Sequence, residues 1–194
     1  MSTHLIIHIS GASGSGKTTL GEKLKQKFGS KIIVKDIDDL RIEFIEYYYR
    51  DKPFKIINKK EYQNFINQYI VNNQQKPIIF VGLNNMPWWH KDLYYNLYPV
   101  YKYYIDIDDE TIIKQKCLRL FKELPNEKMI MDNLIHNNKE FLKLVTDVLN
   151  VECNLDVIKQ MNEKWNYDYK QQGYEFLTRD KIYNRVVKIL TDVL

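Results

Sequence analysis

Cysteine is scarce in this chain: Cys117 and Cys153 are the only two in 194 residues. No cluster of metal-ligand residues lies between them, so neither a disulfide-stapled fold nor a structural zinc is expected. Both fall in segments patterned as helices and read as buried free thiols, which fits a cytoplasmic, reducing setting. Long apolar runs are also missing. The longest, near residues 77–83, is far too short to cross a bilayer, and the N-terminus lacks the basic and apolar regions of a secretory leader. Glycine (7) and proline (5) are few. With no Gly/Ser linker, repeat or low-complexity tract, a single domain over residues 1–194 is expected. Arginine is rare too: only Arg41, Arg50, Arg119, Arg179 and Arg185 occur in a chain that defaults to lysine. An arginine here marks a position that wants a planar, bidentate donor.

What is present is globular. The hydrophobic fraction is 44%, the charged fraction 28% and the net charge +4. Scattered lysines among scattered acids make a solvated face that mildly favours anionic ligands without demanding nucleic acid. Apolar strands are expected at residues 5–9, 31–35, 77–81 and 101–107, with a short last one at 174–177. Helical spacing covers residues 18–28, 38–49, 109–124, 139–149, 155–169 and 180–194. Asn58 is expected to cap one more helix with Glu61 as its reciprocal partner, followed by the apolar face Tyr62, Phe65, Ile66, Tyr69 and Ile70. Gly29 stands where a helix accepts a left-handed cap. Strands alternating with helices predict an α/β fold with a parallel sheet and helices on both faces.

The run Gly11-Ala12-Ser13-Gly14-Ser15-Gly16-Lys17-Thr18 fits the phosphate-loop pattern G-x-x-x-x-G-K-[ST]. It has the required context, an apolar strand before it and an amphipathic helix after it. Glycines let backbone N–H groups turn inward around a β-phosphate, and the helix N-terminus adds partial positive charge. Lys17 is expected to reach the β- and γ-phosphates of ATP, and the Thr18 hydroxyl to ligate Mg2+.

The chain resembles the P-loop small-molecule kinases, the superfamily of adenylate, shikimate, gluconate and polynucleotide kinases. The resemblance rests on the loop through Thr19, on Asp36-Ile37-Asp38-Asp39-Leu40-Arg41, and loosely on Tyr104-Ile105-Asp106 with the helix after it. It implies a three-layer fold with a five-stranded parallel sheet in the order 2-3-1-4-5, and an acidic acceptor site at the end of strand two. A lid bearing arginine would follow strand four, at about residues 119–138.

On that basis Asp38, then Asp36, is the expected general base for an acceptor hydroxyl, with another carboxylate holding a magnesium-bound water. The competing reading is that Asp38 or Asp39 caps the helix beginning there. Arg41 and Asn84 are candidate acceptor contacts, and Arg119 a candidate for neutralising charge on the transferring phosphoryl group. Strand three ends Phe80-Val81-Gly82-Leu83-Asn84-Asn85, without the aspartate that motor-type ATPases need. Trp88, Trp89 and His90 are expected to pack in the core, with aromatic stacking on a base or sugar as the alternative, and His4 and His8 to have no role in metal binding. The expected activity is transfer of the γ-phosphate of ATP to a small molecule or nucleotide, with a hydroxyl acceptor preferred. A nucleoside monophosphate kinase, a polynucleotide 5′-end kinase and a non-catalytic nucleotide-binding module are the alternatives. Nucleic acid is a disfavoured partner, no membrane is expected, and the chain would be a monomer or homodimer.

Overall fold

The computed structural model describes residues 4–50, 58–86, 90–123 and 154–194, together with Lys139, Lys143 and Asn150. Its elements are β1 (Ile6–Gly11), α1 (Lys17–Phe28), β2 (Ile33–Asp36), α2 (Ile37–Tyr49), α3 (Lys59–Asn72), β3 (Ile78–Val81), β4 (Asn85–Met86), β5 (His90–Tyr94), β6 (Tyr101–Ile105), α4 (Asp109–Glu123), α5 (Leu155–Gln171), β7 (Glu175–Leu177) and α6 (Arg179–Val193). A five-stranded sheet runs β2-β3-β1-β6-β7, every pair parallel, as the resemblance implies. The antiparallel hairpin β4–β5 is an addition that the sequence reading did not contain.

Two compact units make up the described chain. The first holds the sheet with α1, α2, α3 and α6. β1 is its central strand and is buried along its whole length, as expected of a strand covered on both faces. On one side of the sheet, Ile37, Leu40, Phe44, Tyr62 and Ile66 pack with Ile78 and Phe80 in one core cluster. Phe44 sits at its centre, its ring within 4.9 Å of Tyr62 and 5.5 Å of Phe65 between centroids. Burying a phenylalanine contributes about 1.5–3 kcal/mol. Ile182, Val186 and Leu190 recur at helical spacing along α6 and are buried, so this helix commits one face to the interior.

α1 ends at Gly29, whose N–H is bonded to the Lys25 carbonyl; its φ of 56° is positive, but its ψ of −131° is not that of the left-handed cap expected there. The expected capping box at α3 takes a different form. Asn58 does accept from Lys60 N at 3.0 Å, but its own N–H donates to the Tyr49 hydroxyl at 3.1 Å. Glu61 instead accepts a hydrogen bond from that hydroxyl. A tyrosine oxygen has thus replaced the reciprocal glutamate, because Tyr49 arrives from α2 and sequence spacing cannot show it.

The second unit comprises residues 12–15 and 107–172. Asp108 starts α4, accepting from Thr111 N and Thr111 Oγ1, both at 2.8 Å, and these bonds pull its pKa down. Asn154 caps α5 through Asp156 N at 3.0 Å. Asn162 joins α5 to the first turn of α4 by donating to Asp109 Oδ1 at 2.5 Å. Apart from Lys139 and Lys143, which are helical, the expected helix at 139–149 lies outside the described residues, as do the greater part of the expected lid, Trp88, Trp89 and Cys153. No helix among the described residues is long and apolar enough to cross a membrane.

Candidate active site

The phosphate loop takes the backbone its glycines allow. Gly14 and Gly16 both have φ of 86°, a left-handed conformation that side chains resist. Gly16 is the N-cap of α1, its carbonyl accepting from Leu20 N at 3.0 Å. Within the loop Ser15 N donates to the Ala12 carbonyl at 3.1 Å. Lys17 folds back along the loop, its ammonium donating to the Gly11 carbonyl at 2.8 Å. Ser13, Thr18 and Thr19 are exposed, while the buried Ser15 hydroxyl has no hydrogen-bond partner among the described residues. No acidic residue occupies the first turn of α1, so its positive end is left for an incoming anion.

α1 approaches the sheet closely because Gly21 has no side chain. A Cβ there would lie 2.9 Å from Val34 Cγ1 and 3.1 Å from Val81 Cγ1. That packing brings the start of α1 to the carboxyl end of β2. Thr18 Oγ1 donates to Asp36 Oδ2 at 3.0 Å, while Asp36 Oδ1 accepts from Asp38 N at 2.9 Å. Asp36 is therefore the N-cap of α2, which starts one residue earlier than expected, at Ile37. The cap assigned to Asp38 or Asp39 belongs to Asp36, whose extended backbone is the one a capping residue adopts.

With capping done by Asp36, the Asp38 carboxylate stands clear on the surface at 72% exposure. It pairs with Arg41, one turn along the same helix. The rest of the Arg41 guanidinium turns inward and donates to the carbonyls of Leu83 and Asn85. Its Nε has no hydrogen-bond partner among the described residues, and its side chain is only 14% exposed. Arg41 thus ties α2 to the segment after β3. Asn84 is buried there and donates from Nδ2 to the Tyr95 carbonyl at 2.8 Å, while Tyr95 N returns a bond to the Asn84 carbonyl at 2.9 Å. Nearby Tyr62 is buried, which drives its hydroxyl pKa upward against the pull of Arg41. Arg119 lies on α4 in the second unit and is exposed.

His8 was read as having no role in metal binding, and it has a structural one. It is fully buried in β1, with Nε2 bonded to the Gly82 carbonyl at 2.9 Å and Nδ1 to the Tyr174 hydroxyl. The imidazole is neutral, donating from Nε2 and accepting at Nδ1. Burial is the chief cause that brings its pKa down to about 4. Nothing in the pattern around a lone histidine in an apolar strand signals this link.

Oxygen donors suit a hard cation, and Thr18 Oγ1 beside Asp36 Oδ2 is such a set. The described residues hold no group of three or more His, Cys, Asp or Glu side chains arranged for a metal. A magnesium ion that keeps several waters and takes its remaining ligands from substrate phosphates needs no such group.

No protein-family model matches the chain. The cytidine diphosphoramidate kinase of Campylobacter jejuni subsp. jejuni is 31% identical over 160 residues, covering 76% of this chain and 86% of that protein. The chain belongs to the P-loop kinases. This kinase is an enzyme that carries out ATP-dependent phosphoryl transfer to a small-molecule acceptor. Its fold is also that of shikimate kinase from Bacteroides thetaiotaomicron, at a TM-score of 0.52 and 15% identity over 96% of this kinase and 98% of that chain.

Proposed function

We propose that this kinase moves the γ-phosphate of ATP to a sugar hydroxyl of a nucleoside-diphosphate-type acceptor. The observation that carries the reading is the division of labour between the two aspartates of β2 and α2. Asp36 is held by Thr18 and the Asp38 amide, and the Asp38 carboxylate is left exposed beside it. An exposed carboxylate at the carboxyl end of a parallel strand lies where ligands of such sheets bind. The relative named for cytidine diphosphoramidate supports an acceptor of that chemical class.

In this reading the loop amides from Gly11 to Thr19 and the Lys17 ammonium bind the ATP phosphates. The loop residues Ala12, Ser13, Gly14, Ser15 and Gly16 supply the curve. Asp38 takes the proton of the acceptor hydroxyl as its oxygen attacks the γ-phosphorus. The bond to the β–γ bridging oxygen then breaks and ADP leaves. Thr18 and Asp36 would hold magnesium, which when bound screens charge on the β- and γ-phosphates. Arg41 steadies Asp38 and borders the acceptor with Asn84, and Arg119 meets the transferring group if the lid over residues 119–138 closes as proposed.

The test is the chemistry of the product. ATP would be supplied with cytidine diphosphate and its phosphoramidate, with cytidine monophosphate and with shikimate, and the products read by 31P NMR. A new phosphomonoester on a ribose hydroxyl is the expected result. A lengthened phosphoanhydride chain would instead establish the nucleoside monophosphate kinase reading and leave Asp38 no proton to remove.

A further inference from the structure

Arg179, one of the five rare arginines, begins α6 directly after the short strand β7, with no motif around it. Its side chain nevertheless reaches the phosphate loop. A Cβ on Gly16 would meet Arg179 Nη1 at 2.8 Å and Arg179 Cδ at 3.5 Å. Gly16 is required for its left-handed backbone, and its missing side chain leaves the space in which the Arg179 guanidinium rests.

The electrostatics of this placement are unfavourable without an anion. Arg179 lies against Gly16, the N-cap of α1 and the residue before Lys17, and the first turn of that helix has no acid. It also occupies the first position of α6, where a cation opposes the helix dipole. Among the described residues it makes no ion pair or hydrogen bond. A half-buried guanidinium with no protein acceptor, held at the positive end of a phosphate-binding helix, is built for a ligand that brings negative charge.

We propose that Arg179 is a nucleotide-contacting residue whose guanidinium donates to a phosphate oxygen of bound ATP, beside Lys17 and the loop amides. The proposal rests on the reading of residues 11–19 as the ATP phosphate site. It adds a second cation to that site from the far end of the chain.

Calorimetric titration of wild type, Lys17→Ala, Arg179→Gln and Arg179→Lys with ADP and with inorganic tripolyphosphate tests it. Arg179→Gln is expected to weaken both ligands by about 10-fold or more, the scale of a lost hydrogen bond to a charged group. Arg179→Lys should fall between it and wild type. Thermal melting of the ligand-free Arg179→Gln protein should match wild type or rise, since a cation leaves a helix N-terminus. Unchanged affinity of Arg179→Gln for both ligands, with Lys17→Ala impaired, overturns this proposal alone. Weakened ADP binding with tripolyphosphate unaffected also overturns it, by moving the guanidinium to the base. If wild type bound neither ligand, the phosphate-site reading itself would fail and this proposal with it.

Discussion

Thr18 Oγ1 and Asp36 Oδ2 lie 3.0 Å apart in a hydrogen bond that joins the end of the phosphate loop to the end of β2. The helix that follows β1 and the strand β2, which is not a neighbour of β1 in the sheet, thereby contribute oxygens to one place. Replacing Asp36 by Asn keeps the helix cap, since Asn caps as well as Asp, but removes the charge. Turnover should fall on the order of 10²-fold, the scale of losing one preorganised electrostatic group. Melting should change by less than about 0.5 kcal/mol, as for a substitution that spares cap and core. Steady-state kinetics with a magnesium titration, run beside thermal unfolding, measures both, and a large loss of stability would mean that the carboxylate is structural.

Asp38 behaves differently if it is the base. Asp38→Asn should lower kcat by about 10²-fold or more, with nucleotide affinity within a factor of about two, because a general base acts on the acceptor alone. An unaltered kcat would transfer the role to Asp36 or remove the need for a base.

Lys17→Ala should cost at least ~3 kcal/mol in transition-state stabilisation, the scale of a lost preorganised donor. The Lys17 ammonium donates to the Gly11 carbonyl within the loop and makes no part of the apolar core, so the fold itself should survive. Measured kcat/KM with an intact circular dichroism spectrum is the expected pair of observations.

His8 predicts an acid limb in stability. Its pKa falls from 6.5 to about 4 in the folded protein, chiefly because burial disfavours the charged ring. The unfolded chain therefore binds the proton first as pH drops below about 6.5, so stability declines from there down to about pH 4. The total loss is on the order of 3 kcal/mol. Denaturant titrations across that range should show His8→Gln with a flatter profile than wild type. A parallel slope would place the acid sensitivity in other groups.

Much of this was legible in the chain. The loop was readable because its eight positions carry their own chemistry and stand between an apolar strand and an amphipathic helix, a local pattern at every step. The cap of α2 was not, because Asp36, Asp38 and Asp39 are equally able to cap and only the extended backbone at Asp36 chooses among them. The β4–β5 hairpin was hidden for a different reason: β4 is two residues long and its pairing with β5 is irregular. Arg41 was recognised as a special arginine, but its anchors are backbone carbonyls of Leu83 and Asn85, which no side-chain pattern announces. Arg179 meets Gly16 across more than 160 residues of chain.

Gly21 has a consequence for how this kinase can respond to its substrates. With Val34 and Val81 pressed against its Cα, α1 has no slack beneath it, and Gly21→Ala should destabilise by about 1–3 kcal/mol through overpacking. A helix wedged in this way cannot recoil when phosphates arrive or advance when they leave. Nucleotide-dependent change is then expected first in side chains, with Lys17 leaving the Gly11 carbonyl, rather than in the backbone of α1.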